Sequence, residues 1–202
     1  VAAAAAAERS DIAFVVLLSS PGLPGKDVVV DQAIRLERVD GTPEPTLEDV
    51  AEQMRAGIEI LLAPLDEEER ARRLRPIIEA TQALTRDDPF ASAASIDREL
   101  AVLTSASFRS ALTWDPRPAL ERLRCPVLVL HGELDMQVDP ERNLPPLEAA
   151  LEQAPTDDVT IVRLPGLNHL LQPAETGHPR EYAGARRDPA VYDRIATWIV
   201  ER

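Results

Sequence analysis

Two loops in the second half of the chain carry the side chains best suited to acid–base chemistry. Residues 132–140 contain Asp135, and residues 165–171 contain His169, 34 residues further on. Each loop follows a short apolar run, and the chain between them has room for one helix and one strand. Because the carboxyl ends of parallel strands share one edge of a sheet, this path can bring a carboxylate and an imidazole together.

Other acids and histidines lie near the two loops, and each has a simpler interpretation. Asp139 precedes Pro140 at a predicted helix start and suits an N-cap, whereas Glu133 suits a solvated loop. His131 ends a strand and is expected to hydrogen-bond locally, and His178 is expected to be exposed. The three histidines show no clustered ligand pattern, so neither a metal site nor a cofactor is predicted. The structural alternatives are that Asp135 is only a turn residue and that His169 only caps or packs in its loop.

Alternating strands and helices must position these loops. Apolar runs at residues 11–18, 126–132 and 159–164 predict strands that are buried in a parallel sheet. A helix is predicted at 144–154, where Pro145 and Pro146 would be tolerated only in the first turn, and Asp188 opens a closing amphipathic helix. The order strand, helix, strand, helix predicts an α/β fold.

The segment from 28 to about 109 is helical instead. Apolar residues recur there at spacings of three or four. Thr46 and Asp49 form a capping-box variant that predicts a helix start, and Asp66 caps a second helix, which Pro76 should kink or interrupt. A weaker helical pattern follows at 96–100. The segment therefore predicts an insertion of helices into the α/β part.

The motifs taken together resemble the α/β-hydrolase superfamily. Residues 126–135, PVLVLHGELD, resemble the strand and acid loop of these enzymes, and residues 166–169, GLNH, resemble their histidine loop. The order acid then histidine is also similar to that of the family. The resemblance implies the last three strands of a hydrolase sheet with an inserted helical cap. Its domains would be core at 1–27, cap at 28–112 and core again at 113–202.

The resemblance also implies a reaction. His169 would act as the base that removes the proton of a serine nucleophile, and Asp135 would fix its tautomer and stabilise its cation. The expected substrate is a small carboxylic ester or a related acyl compound. A peptidase, an acyl-thioesterase, a relative with an aspartate nucleophile, and a non-catalytic binding protein of the same fold stay open as alternatives.

The nucleophile itself is missing from the sequence. The family places it in a G-x-S-x-G turn between a strand and a helix, and none of the eight serines has glycines at both positions. Ser19 and Ser20 end a strand but lie on a Pro-Gly turn. The alanine-rich start resembles the helix that would follow the turn, so we expect the serine to precede Val1. The chain would then be a C-terminal portion that is inactive alone.

The composition argues against two classes of binding partner. A formal charge of −13 argues against binding to nucleic acid or anionic membranes, both of which require clustered Lys and Arg. No apolar stretch reaches the roughly 18 residues of a membrane span. The single cysteine, Cys125, excludes an internal disulfide, and its place before an apolar run predicts a buried thiol. The sequence contains no signal for a compartment or an oligomeric state.

Overall fold

The computed structural model describes residues 2–85, 93–182 and 186–202. The chain forms two compact units, one made of Val1–Pro24 and Asp115–Arg202 and the other of Gly25–Trp114. Within the described residues the strands are β1 (Val15–Leu18), β2 (Val127–Gly132) and β3 (Val159–Leu164). The helices are α1 (Ala2–Glu8), α2 (Gly25–Val39), α3 (Glu44–Leu62), α4 (Glu67–Thr85), α5 (Ala93–Leu103), α6 (Ala106–Thr113), α7 (Arg117–Leu120), α8 (Pro140–Leu151) and α9 (Pro189–Val200), with a 3₁₀ helix at Pro179–Tyr182.

The first unit is built on a parallel sheet with the order β1-β2-β3. Leu18 pairs with Leu130 in β2, and Gly132 at the end of β2 pairs with Leu164 in β3. All six residues of β2 are buried, as expected for a central strand with both faces covered. The predicted α/β fold with a parallel sheet is thus confirmed, although β1 begins at Val15 instead of residue 11.

Alternate side chains of β2 enter two separate cores. Val127 and Val129 pack in the core that includes residues of α1, α7 and α8. Leu128 and Leu130 point to the opposite face, where Trp198 of α9 packs. The Trp198 ring meets Phe14 edge to face, with centroids 5.8 Å apart, and its indole N–H donates to Thr160 Oγ1. Cys125 is buried and free, as its position predicted.

Aspartates cap the two helices that flank β3 in sequence. Asp139 accepts from the N–H of Glu141 at 3.1 Å, and Asp188 accepts from the N–H of Ala190 at 2.8 Å. The prediction of Asp139 as an N-cap before Pro140 is confirmed, whereas the predicted helix range 144–154 is wrong, because α8 spans Pro140–Leu151. The cap fixes the start, so Pro145 and Pro146 lie in the helix interior, where the burial of Leu144 and Leu147 holds the turns together.

In its described residues the second unit contains helices and no strand. The cap on α4 is confirmed, since Asp66 accepts from the N–H of Glu69 at 2.8 Å. One other prediction is wrong. Helix α3 starts at Glu44 instead of Thr46, because Pro45 falls in the first turn, where no N–H is needed. Of the two effects predicted for Pro76, a kink or an interruption, the interruption does not occur: α4 continues through this proline, and buried Leu74 and Ile78 keep the helix packed.

Candidate active site

The loops that follow β2 and β3 are joined through their backbones. The N–H of Glu133 donates to Leu164 O at 3.0 Å, and the N–H of Leu134 donates to Leu167 O at 2.9 Å. Gly132 permits this approach, because a Cβ on it would lie only 2.3 Å from Leu167 O. The glycine therefore serves close contact between the acid loop and the histidine loop.

Asp135 and His169, the two predicted site residues, lie against each other. Nδ1 of His169 is 3.0 Å from Oδ2 of Asp135. The carboxylate side chain is fully buried, whereas the imidazole is 25% exposed. An ionised carboxylate can only accept, so Nδ1 carries the proton and Nε2 of the neutral ring presents its lone pair. No hydrogen bond to Nε2 occurs within the described ranges 2–85, 93–182 and 186–202.

The local backbone also stabilises the charge on Asp135. Its Oδ1 accepts from the N–H of Gln137 at 2.9 Å and from that of Val138 at 2.8 Å. Burial by itself raises the pKa of Asp135, but the hydrogen bonds from His131, His169 and Val138 outweigh it and lower the pKa to about 2. The acid is therefore ionised throughout the neutral range.

His131 also belongs to the site, although the sequence predicted only a local hydrogen bond for it. Its Nε2 donates to the carbonyl of Val138 at 2.7 Å and also lies 3.3 Å from Oδ2 of Asp135. The ring is fully buried, and its Nδ1 has no partner in the part of the chain that the structure describes. The four-residue spacing to Asp135, at the end of a buried strand, was the available signal.

A compact turn holds His169 in place. Asn168 is buried, and its Oδ1 accepts from the N–H groups of Leu170 at 2.9 Å and Gln172 at 3.1 Å. Gly166 and Leu171 both adopt positive φ, of 70° and 56°. For a leucine this conformation is unfavourable, so the turn is fixed by its surroundings. A rigid turn gives the imidazole a defined orientation towards Asp135.

A third segment borders the acid loop. The side-chain amide of Gln137 donates to Tyr182 Oη at 2.9 Å. The pKa of Tyr182 is raised above its usual value, mainly by burial. The bond from Gln137 opposes this rise, and the charge of Asp135 adds to it. His178 is half-buried instead of exposed, and its Nδ1 accepts from the N–H of Arg180 in the turn that opens the 3₁₀ helix. Sequence periodicity gave no signal for Tyr182, because its partner is distant along the chain.

Ser19 lies at the tip of β1, beside His131. Its N–H donates to Leu130 O at 2.9 Å, which continues the β1–β2 pairing by one residue. It adopts a φ of 46°, and its hydroxyl is buried without a partner among the described residues. The chain then turns through Gly22, whose N–H donates to Asn143 Oδ1 at 3.1 Å, and α2 begins only at Gly25. Ser19 is thus not on a turn that leads directly into a helix.

Two further findings concern only the part of the chain that the structure describes. There, no group of three or more His, Cys, Asp or Glu side chains is arranged to hold a metal ion. No helix in those same ranges is both long enough and apolar enough to cross a membrane. Glu133 is exposed, and Asp139 caps α8.

The likeness of this chain to known proteins is structural and distant. No family model matches the sequence, and no curated protein matches it either. Among solved structures, the chain is similar to the esterase RhEst1 from Rhodococcus sp. ECU1013, with 20% identity and a TM-score of 0.35. The alignment covers 93% of this chain and 56% of that one. The chain thus spans just over half the length of this esterase.

Proposed function

We propose that this chain supplies the acid and the base of a serine hydrolase of the α/β-hydrolase type, which cleaves carboxylic esters or related acyl compounds. The observation that carries the proposal is the contact of 3.0 Å between Nδ1 of His169 and Oδ2 of Asp135. This contact leaves Nε2 as the basic nitrogen on a partly exposed ring. An acid–imidazole pair at the tips of neighbouring parallel strands is the arrangement that such enzymes need.

The proposed chemistry uses each group in turn. Nε2 of His169 accepts the proton of the serine hydroxyl while the serine oxygen bonds to the acyl carbon. Asp135 stays ionised, because its pKa of about 2 is far below neutral, and stabilises the imidazolium. The imidazolium then gives its proton to the leaving alkoxide. Water, activated by the same nitrogen, releases the acid and restores the serine.

The nucleophile is proposed to lie outside the 202 residues. No serine of this sequence stands in a G-x-S-x-G turn. We therefore expect the 202-residue chain to be inactive alone and the longest reading frame that contains it to be active. In that longer protein, residues 28–112 are proposed to serve as the cap.

A fluorophosphonate probe, which labels activated serines, tests the proposal. Mass spectrometry of the labelled longer protein is expected to place the probe on a serine outside residues 1–202. The shorter chain should remain unlabelled and show no burst with p-nitrophenyl butyrate. In the longer protein, His169→Ala and Asp135→Asn should each lower turnover by roughly 10⁴-fold, because both disable the base.

The matched control is Asp139→Asn, which removes a carboxylate four residues away and retains a good helix cap. Its turnover should stay within a few-fold of the unchanged enzyme. Labelling of Ser19 or Ser20 would place the nucleophile in this chain and refute the proposal in its present form. Absence of labelling in the longer protein would favour a binding protein of the same fold.

A further inference from the structure

The helical unit contains an apolar cleft among its own helices. The cleft has a volume of about 250 Å³ and is lined by residues of α2, α3, α4, α5 and α6. Its floor is formed by fully buried side chains, among them Val50, Leu61 and Leu74. Met54 and Phe108 line it as half-buried residues. The cleft is thus continuous with the core of the unit and open to a ligand.

The volume limits the size of the ligand. Cavities of about 150 Å³ lined by similar side chains hold benzene, and pockets for drug-sized ligands begin at about 300 Å³. A protein interior is normally packed without voids of this size. The cleft of about 250 Å³ therefore fits a short aliphatic chain.

A glycine in the middle of α3 helps to keep the cleft open. Gly57 lines it, and a Cβ at this position would lie 3.6 Å from Ile77 Cγ2 and 3.8 Å from Leu74 Cδ2. These are ordinary contacts, so alanine would fit and would favour the helix. A longer side chain would extend into the cleft. The position thus offers a substitution that fills the cleft and a matched one that does not.

The charged side chains among the described residues that line the cleft are acidic. Two carboxylates line it, the half-buried Glu37 and the exposed Glu99, and no Lys or Arg is among the described residues that do so. Glu37 accepts from Thr42 Oγ1, and Glu99 accepts from Gln82 Nε2, each at 2.8 Å. A carboxylate has about four acceptor positions, so both retain capacity for a further donor. An ammonium group fits this surrounding, whereas a carboxylate would be repelled.

From the volume, the apolar floor and the acidic lining, we infer that the cleft of the helical unit binds a short alkylammonium ligand. The alkyl chain would occupy the space beside Gly57, and the ammonium group would face Glu37 and Glu99. This inference does not depend on the pair formed by Asp135 and His169.

Octylamine and octanoate, which share one chain length and differ in charge, are the probes. Isothermal titration of the 202-residue chain at about 0.15 M salt should show saturable 1:1 binding of octylamine and at least tenfold weaker binding of octanoate. Gly57→Met should weaken octylamine binding by tenfold or more, because its side chain fills the cleft. Gly57→Ala should stay within about threefold of the unchanged protein.

Charge and folding need their own controls. Glu99→Gln should reduce the preference for the amine, whereas Glu133→Gln, which removes an equal charge in the other unit, should not. Methyl resonances of Ile58 and Ile77 should shift on addition of octylamine, a result that needs no variant. Equal affinity for the two probes, unchanged binding in a folded Gly57→Met protein, or unmoved methyl resonances would each overturn the inference.

Discussion

Replacing Asp135 by asparagine should remove a stabilising contribution that depends on pH. The pKa of this carboxyl is about 2 in the folded protein, against 3.8 for an unperturbed aspartate. Since a tenfold difference in proton affinity corresponds to about 1.4 kcal/mol, the ionised form contributes about 2 kcal/mol to stability at neutral pH. Asparagine at this position retains the shape of the side chain but lacks the negative charge that interacts with His131 and His169.

The sign of the effect follows from the lowered pKa. The contribution is complete above about pH 5, falls to about half near pH 3 and is mostly lost at pH 2, because the unfolded chain takes up its proton first. The free energy of unfolding of the unchanged protein should therefore approach that of Asp135→Asn as the pH falls. We expect the difference between them to narrow by about 1 kcal/mol between pH 7 and pH 3.

Urea unfolding, followed by tryptophan fluorescence at pH 7, 5, 4 and 3 and constant ionic strength, measures this difference. Comparing the two proteins at each pH cancels the titration of the many surface carboxylates. The control Asp139→Asn should change stability at pH 7 by less than about 0.5 kcal/mol, because asparagine caps a helix as well as aspartate does. A constant difference between the unchanged protein and Asp135→Asn from pH 7 to pH 3 would show that the acid is not stabilised by its imidazole neighbours.

Two further substitutions test the surroundings of the pair. Gly132→Ala should destabilise the protein by about 2 kcal/mol or more in urea unfolding, because its Cβ would meet Leu167 O at 2.3 Å; stability like that of the unchanged chain would show that the two loops can separate freely. His131→Leu should reduce the unfolding free energy by about 1–3 kcal/mol, because it leaves the buried carbonyl of Val138 without its donor, whereas His131→Gln should recover part of the loss. Equal losses in both variants of His131 would mean that packing, and not the hydrogen bond, is responsible.

The parallel sheet and the acid–imidazole pair could be predicted because few topologies satisfy their sequence. An apolar run such as β2 has to be buried on both faces, and a strand of that kind belongs to a parallel sheet with connections that return to the same edge. The tips of β2 and β3 are then adjacent, whatever the lengths of the intervening elements. Asp135 and His169 follow those tips within a few residues, so their meeting depended little on local detail.

Helix boundaries depend on local detail, such as caps and prolines, and their positions were predicted less well. The rule that a proline belongs in the first turn of a helix misplaced the start of α8, because the cap at Asp139 and the burial of Leu144 outweigh the loss of two backbone donors. Pro76 likewise lies inside α4 without interrupting it. In both helices tertiary packing overrides local preference, and a single sequence does not reveal which contacts a helix will make.

The contact of His131 with Asp135 escaped the sequence for a different reason. A histidine at the end of a strand can turn towards either side of the loop that follows, and here the bond to Val138 O decides the direction. Because Val138 also donates its N–H to Oδ1 of Asp135, one residue holds the acid and the imidazole beside it. His131 and Gly132 therefore act together at the tip of β2: the first fixes the carboxylate, and the second lets the histidine loop approach it. A substitution that moves this tip should also move His169, although His131 and Gly132 are more than thirty positions away from it in sequence. We therefore expect substitutions in β2 to change the distance and orientation between Asp135 and His169.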